Sequence, residues 1–298
     1  MLQRKNIIII LLVILTACTS SEIENNEQWY YEELELKELW SYSKGDSQTI
    51  AIIDTGISKY GKEVYADRIV DTYNSIDGSK DVTDEHGHGT EMVSIASGDG
   101  RDGVWGGAPK SKILVIKAIG DDGKEASHSI EKAIEYAISK KVSIINMSFG
   151  TFKKDDKIEK LIQLAIKKGI TIVASTGDYG NNDILFPSSA TGVVSVEAKN
   201  KKGGKWEKSN TSLYSIAAFP GEEIKSLTLG NSSNSKPFNI VYSTGTSQAT
   251  ALASGYIALI RDYYNSKNIT LSNTEILNKL RALHSTTEDH PDYLSPFQ

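Results

Sequence analysis

Three polar residues of this sequence have the types and order needed for a serine nucleophile, its base and an orienting acid. Asp54 ends an apolar run over residues 49–53, His88 follows a glycine-rich turn, and Ser247 lies in the Gly, Ser and Thr-rich stretch 243–251. A helix that begins at this stretch leaves free N–H groups near Ser247, which favour a developing negative charge. The order acid, histidine, serine is known for Ser-His-Asp triads, although a Gly-Thr-Ser run is also a common turn or helix cap.

Strands and helices alternate along the chain, and this alternation predicts the fold that positions these residues. Strands are predicted at residues 49–53, 112–118, 142–147, 170–174 and 192–196, and helices at 127–139, 156–168, 249–260 and from 272 to about 283. Ser127 is the expected cap of one helix, and Ser272 with Glu275 forms a predicted capping box. Such alternation indicates βαβ units in an α/β fold with a mainly parallel sheet, whose sites gather at the carboxyl ends of the strands.

Composition limits the possible partners. The chain has 298 residues, 39% of them hydrophobic, and a net charge of −5. This length suits one large α/β domain, and no internal repeat or second-domain boundary is visible. The negative charge and the absence of a basic run exclude nucleic acid as an expected partner, and we expect a monomer.

The N-terminus has the pattern of an export signal. Arg4 and Lys5 precede an apolar run over residues 7–15, which is too short to span a bilayer as a helix. Cys18, the only cysteine, follows this run at the position that resembles the lipobox of bacterial lipoproteins. We therefore predict a signal peptide at 1–17, a lipid anchor on Cys18, a tether at 18–28 and an extracytoplasmic location; the alternative is an ordinary signal peptide with an incidental cysteine.

Three short motifs resemble the signature motifs of the subtilisin-like serine proteases, the subtilases. These are residues 54–56, 88–90 and 245–247, and further matches lie at 106–109, 145–150 and 186–187. The resemblance implies a three-layer subtilisin-like fold over residues 29–285, with a C-terminal tail at 286–298. It also implies a serine endopeptidase in which Asp54, His88 and Ser247 are the catalytic triad, whereas His86 is a turn residue.

The same resemblance implies a peptide-binding groove. One pocket edge is Ser148, Phe149 and Gly150, the other is Ala174, Ser175, Thr176 and Gly177, and the opposite rim contains Asp122, Gly123 and Lys124. A substrate peptide is expected to bind there as an added extended strand. Acidic residues on the rim hint at basic substrate residues, although a solvated loop explains them equally; they are Asp121, Asp122 and Glu125.

Two positions depart from the family pattern near the nucleophile. Asp178 stands where the family has an asparagine that donates to the oxyanion, and Ala251 replaces a usual proline. An ionised Asp178 would repel an oxyanion ~3 Å away by roughly 5 kcal/mol. A buried, protonated Asp178 could donate instead, and Asn181 or Asn182 could also reach the site. We therefore expect an attenuated enzyme with an acid-shifted optimum.

Other features concern metal, folding and function. Asp99 and Asp102 lie in a loop where some subtilases bind calcium, but Gly100 lacks a ligand and Arg101 is adverse, so we predict no required cofactor. Only about ten to fifteen residues separate Cys18 from the domain, so we expect the protein to fold unaided or with help in trans, without a pro-domain of its own. The expected function is processing of an exported peptide or protein precursor; the alternative is a catalytically impaired, peptide-binding or partner-binding lipoprotein.

Overall fold

A parallel β-sheet forms the centre of the molecule. The computed structural model describes residues 28–124, 126–213, 215–230, 237–285 and 291–297. The signal peptide, Cys18, most of the tether and Glu125 lie outside these ranges. In the described part, seven parallel strands have the order β2-β3-β1-β4-β5-β6-β7. They are β1 (Thr49–Asp54), β2 (Ile69–Asn74), β3 (Lys112–Lys117), β4 (Ile144–Met147), β5 (Thr171–Ser175), β6 (Val194–Lys199) and β7 (Ala217–Pro220).

Helices cover both faces of this sheet. They are α1 (Trp29–Glu33), α2 (Leu36–Tyr42), α3 (Lys59–Val64), α4 (His88–Ser97), α5 (Ser127–Ser139), α6 (Asp156–Lys167), α7 (Thr246–Ser266) and α8 (Asn273–Ser285). Alternate side chains of β1 enter two different cores. Ile50 and Ile52 belong to the core that includes α4 and α7, whereas Ala51 and Ile53 belong to the core that includes α5 and α6. The result is a three-layer α/β arrangement whose central strand is buried on both faces, as a parallel sheet requires.

A two-stranded antiparallel hairpin accompanies the sheet. It consists of β8 (Ile224–Leu229) and β9 (Phe238–Ser243), and β9 leads directly into the turn before α7. The sequence did not predict this hairpin, nor β2 and β7.

Of the two predicted helix caps, one is wrong. Ser127 is not a cap, because α5 begins at Ser127 itself and its N-cap is Ala126. The capping box is confirmed, since Glu275 Oε2 accepts from Ser272 N at 2.7 Å and Ser272 Oγ accepts from Glu275 N at 3.3 Å.

Both ends of the described chain join the core. We refer to α1 and α2, residues 29–42, as the N-terminal arm. Its Tyr30 and Leu36 are fully buried, and Glu33 forms a 2.5 Å ion pair with the buried Lys199. Tyr293 and Phe297, from the segment expected to be a tail, are buried beside Tyr256. Within residues 28–297, leaving out the undescribed gaps, no helix is long and apolar enough to cross a membrane.

Candidate active site

Asp54 and His88 form a hydrogen-bonded pair at the carboxyl end of the central strand. His88 Nδ1 lies 2.7 Å from Asp54 Oδ1, which also accepts from Thr55 N at 2.8 Å. Asp54 has no solvent exposure, whereas 26% of the His88 side chain is exposed. Because Asp54 holds Nδ1, the other imidazole nitrogen, Nε2, is left to exchange a proton with a substrate or nucleophile.

The pKa of His88 is raised by its acidic surroundings. Burial lowers this pKa, but the charge and hydrogen bond of Asp54 raise it, and the charges of Glu91 and Asp84 raise it further, to about 9. The imidazolium is therefore stabilised, as is needed in a base that must hold a proton during acyl transfer.

Ser247 lies in the first turn of α7, as the sequence predicted, but its hydroxyl has a partner other than His88. Ser247 Oγ donates to the carbonyl of Ser148 at 2.7 Å, and Ser148 Oγ donates to the carbonyl of Ser247 at 3.0 Å. Among the described residues, no hydrogen bond joins Ser247 Oγ to His88. Proton transfer to His88 therefore requires the Ser247 hydroxyl to release the carbonyl of Ser148.

Asp178 contacts the same helix end as an acceptor. Its Oδ1 accepts from Thr246 N at 2.9 Å and from Thr246 Oγ1 at 2.8 Å, so it acts as a helix cap supplied by another loop. Gly245 permits this approach, since a Cβ there would lie 2.8 Å from Asp178 Oδ2. Asp178 is exposed, so burial does not favour the protonated form that the sequence left open. In the described part of the chain, the N–H of Ser247 has no acceptor, so it is free for an oxyanion.

The two predicted pocket edges are continuations of neighbouring strands. Residues 148–150 follow β4, residues 174–175 end β5, and residues 176–177 follow it. Leu185 packs between these edges, within 3 Å of where a Cβ would lie on either Gly150 or Gly177. Phe149 also lines a pocket of about 240 Å³ with Ile130, Ile158, Phe186 and Pro187, among others.

The sequence and the fold are both similar to those of known proteins. Residues 45–294 match the subtilase family, peptidase family S8. The chain belongs to the subtilase family. The fold resembles the crystal structure of a cold adapted subtilisin-like serine proteinase, with a TM-score of 0.70 and 22% identity over 84% of this chain and 86% of that one. The predicted three-layer subtilisin-like fold is therefore confirmed.

Curated relatives of this subtilase are proteases by name, and two of the three described here are named as serine proteases. It is 30% identical to the minor extracellular protease Epr of Bacillus subtilis (strain 168), over 80% of this chain and 36% of that protein. It is also 30% identical to the thermophilic serine proteinase of Bacillus sp. (strain AK1), over 74% of this chain and 54% of that protein. It is 29% identical to the major intracellular serine protease of Bacillus subtilis (strain 168), over 83% of this chain and 79% of that protein. The matched region thus spans less than two thirds of the first two relatives.

The predicted groove rim of this subtilase includes an exposed turn, residues 121–124, in which both described acids have partners. Lys124 Nζ pairs with Asp122 at 3.0 Å, and Gly123 lies at the tip. Asp121 pairs at 2.5 Å with Lys117, a buried cation that also donates to the carbonyls of Thr55 and Thr83. These ion pairs offset the charges of Asp121 and Asp122, so for these two residues the solvated-loop interpretation is favoured.

Asp84 positions the His88 loop, and sequence reasoning missed it. Its Oδ1 accepts from Thr55 Oγ1 and from the N–H groups of His86 and Gly87, and its Oδ2 accepts from Thr90 N and Oγ1, at 2.6 to 3.0 Å. Burial raises the pKa of Asp84, but these hydrogen bonds lower it by more, so the net pKa lies below its usual value. A carboxylate four residues before the histidine, followed by Gly-x-Gly-Thr, was the available signal.

In the loop suggested for calcium, both aspartates already have partners. Asp99 is paired with Arg68 at 3.2 Å and with Arg101 at 2.6 Å, while Asp102 accepts from Val104 N and from the hydroxyl of the buried Tyr65. Among the described residues, no group of three or more acidic, histidine or cysteine side chains could hold a metal. The positive charges of Arg68 and Arg101 thus already offset the Asp99 carboxylate, which a calcium ion would need as a ligand.

Proposed function

We propose that this chain is a serine endopeptidase that processes an exported peptide or protein precursor at the outer surface of the cell membrane. The observation that carries the proposal is the 2.7 Å bond between the buried Asp54 and His88, in a subtilase whose Ser247 begins α7. A buried acid that orients an imidazole, in a chain whose candidate serine lies at a helix N-terminus, suits acyl transfer.

The reaction follows from these contacts. Ser247 Oγ leaves the Ser148 carbonyl, gives its proton to His88 Nε2 and attacks the peptide carbonyl. Asp54 stabilises the imidazolium, and the Ser247 N–H donates to the oxyanion. His88 then protonates the leaving amine, and a water molecule, deprotonated by His88, releases the acyl group.

The rate is attenuated because Asp178 supplies no amide donor at the oxyanion position. Losing one such donor typically costs about 10²–10³ in kcat. An acid-shifted optimum does not follow, however. His88 must be neutral to accept a proton, and its pKa of about 9 places that form at alkaline pH. We therefore propose that the activity has an alkaline pH optimum, in place of the acidic optimum expected from the sequence.

The membrane location rests on the sequence alone. The apolar run and Cys18 supply the lipoprotein pattern, and an anchored protease meets precursors as they are exported. Metabolic labelling of cells with radioactive palmitate is expected to label the wild-type chain and not Cys18→Ala. Equal labelling of both chains, or of neither, would contradict the anchor.

A fluorophosphonate probe tests the enzymatic proposal against its alternative. A partner-binding subtilase without activity is favoured by one observation, the Ser247 hydroxyl bonded to Ser148 rather than to His88. We expect covalent labelling that is absent in Ser247→Ala and strongly reduced in His88→Ala. Absence of Ser247-dependent labelling between pH 5 and 10 would refute the enzymatic proposal and favour the binding function.

A further inference from the structure

A chain of side-chain hydrogen bonds connects the His88 helix to the residue after the nucleophile. Glu91, one turn after His88 on α4, accepts through Oε2 from Ser243 Oγ at 2.7 Å. Ser243 ends β9, and its Oγ accepts from Gln248 Nε2 at 3.1 Å. Gln248 is 5% exposed, so this amide is held away from solvent. We refer to Glu91, Ser243 and Gln248 as the carboxylate relay.

The direction of the relay is fixed by its charged end. A carboxylate only accepts, so the single hydroxyl hydrogen of Ser243 points to Glu91 and its lone pair is left for Gln248. A hydrogen bond to a charged acceptor is stronger than a neutral one, which makes the Glu91 contact the anchor.

The relay also limits the turn that carries the nucleophile. Gln248 Oε1 lies close to Gly245, since a Cβ built on Gly245 would be 2.8 Å from it. Asp178 Oδ2 approaches Gly245 equally closely, because it too would lie 2.8 Å from that Cβ. The turn before Ser247 is thus held between Asp178 and Gln248, and the orientation of Gln248 depends on Ser243 and Glu91.

We propose that Glu91 is a positioning residue that couples the His88 helix to the Ser247 turn through Ser243 and Gln248. This inference deepens the proposed function and rests on it. Glu91 also faces His88 together with Asp54 and Asp84, and its negative charge favours the imidazolium. One carboxylate thus acts on the base by charge and on the nucleophile turn by hydrogen bonding.

Kinetics of fluorophosphonate labelling separate these two actions. In Glu91→Ala we expect the rate to fall about tenfold and its pH dependence to move to lower pH, because a misplaced nucleophile reacts slowly and a negative charge near His88 is lost. Ser243→Ala keeps that charge, so the rate falls without a shift in pH dependence. The double variant should be no slower than Glu91→Ala, since both changes break one chain. Glu91→Gln, which still offers an acceptor, should recover most of the rate.

A matched control and a measurement without catalysis complete the test. Glu135→Ala removes an exposed glutamate from α5 and should leave rate and pH dependence unchanged. By NMR, the side-chain amide resonances of Gln248 should shift in Glu91→Ala and not in Glu135→Ala. Unchanged Gln248 resonances in Glu91→Ala would overturn the relay. It would also be overturned if the labelling rate of the double variant fell by the product of the two single-variant factors. Absence of labelling in the wild-type chain would instead refute the proposed function, and the NMR comparison would still decide the relay.

Discussion

At the scale of single residues, Asp178 caps α7 through Thr246 and, in the proposed function, stands where the oxyanion needs a donor. Asp178→Asn keeps an oxygen for Thr246 and places an N–H₂ group where Oδ2 now lies beside Gly245. We expect kcat to rise at least about tenfold at pH 8, because the new amide can donate to the oxyanion. Steady-state hydrolysis of a peptide substrate measures the change.

Asp178→Ala is the matched comparison for this prediction. It removes the cap without adding a donor, so kcat should not rise and the free energy of unfolding should fall by about 1 kcal/mol. If Asp178→Asn is as slow as the wild-type chain or slower, Asp178 does not face the oxyanion.

His88 gives the protein a specific dependence on pH. Its pKa in the folded state is about 9, above the value of about 6.5 for an unfolded chain. The resulting stabilisation is complete below about pH 6.5 and disappears as pH rises through about 9. Activity changes in the opposite direction, because only neutral His88 accepts the proton of Ser247.

We therefore expect kcat/KM to rise with pH up to about 9, while the free energy of unfolding falls between about pH 6.5 and 9. Asp54→Asn removes the charge that contributes most to the raised pKa, and it should move both transitions to lower pH. A wild-type rate that is already constant above pH 7 would contradict the raised pKa.

At the scale of elements, the sequence predicted what is encoded locally. The strand before Asp54 was recognised because Ile50 to Ile53 is a continuous apolar run. The strand Ile69–Asn74 was missed, because polar residues interrupt it and most of its positions are only half-buried. The hairpin of β8 and β9 was missed for a similar reason, since β9 contains no fully buried residue.

In the candidate site, too, the sequence predicted contiguous motifs and missed contacts between distant residues. The motifs that contain Asp54, His88 and Ser247 are contiguous in sequence, so they could be recognised. The contact between Glu91 and Ser243 joins residues 152 positions apart, and no local pattern encodes it. The acceptor role of Asp178 likewise depends on how two separate loops meet at α7.

The loop of residues 98–105 makes a prediction about metal dependence. Arg68 and Arg101 already balance Asp99, and Asp102 has donors from Tyr65 and Val104. Calcium would have to displace these partners, so we propose that the fold does not require it. Thermal unfolding in EDTA and in millimolar calcium should give the same Tm, and a rise of several degrees with calcium would contradict this proposal.

At the scale of the whole molecule, the N-terminal arm connects distant parts of the chain. The fully buried Tyr30 reaches the carbonyls of Trp105 and Lys225 through its hydroxyl, at 3.1 and 3.4 Å. Trp29 Nε1 donates to the carbonyl of Glu222 at 2.7 Å. The arm thus joins the segment after α4 to the hairpin whose second strand leads to Ser247.

This arrangement predicts that stability depends on the arm. Tyr30→Ala removes a buried aromatic ring and leaves a cavity, so the free energy of unfolding should fall by about 3–5 kcal/mol, a large part of a typical total of about 5–15 kcal/mol. Tyr179→Ala, which removes a side chain that is 63% exposed, should change it by about 0.5 kcal/mol or less. Urea unfolding of both variants makes the comparison. Equal, small losses would mean that the arm can detach without unfolding the domain, because an element that opens independently contributes little to global stability.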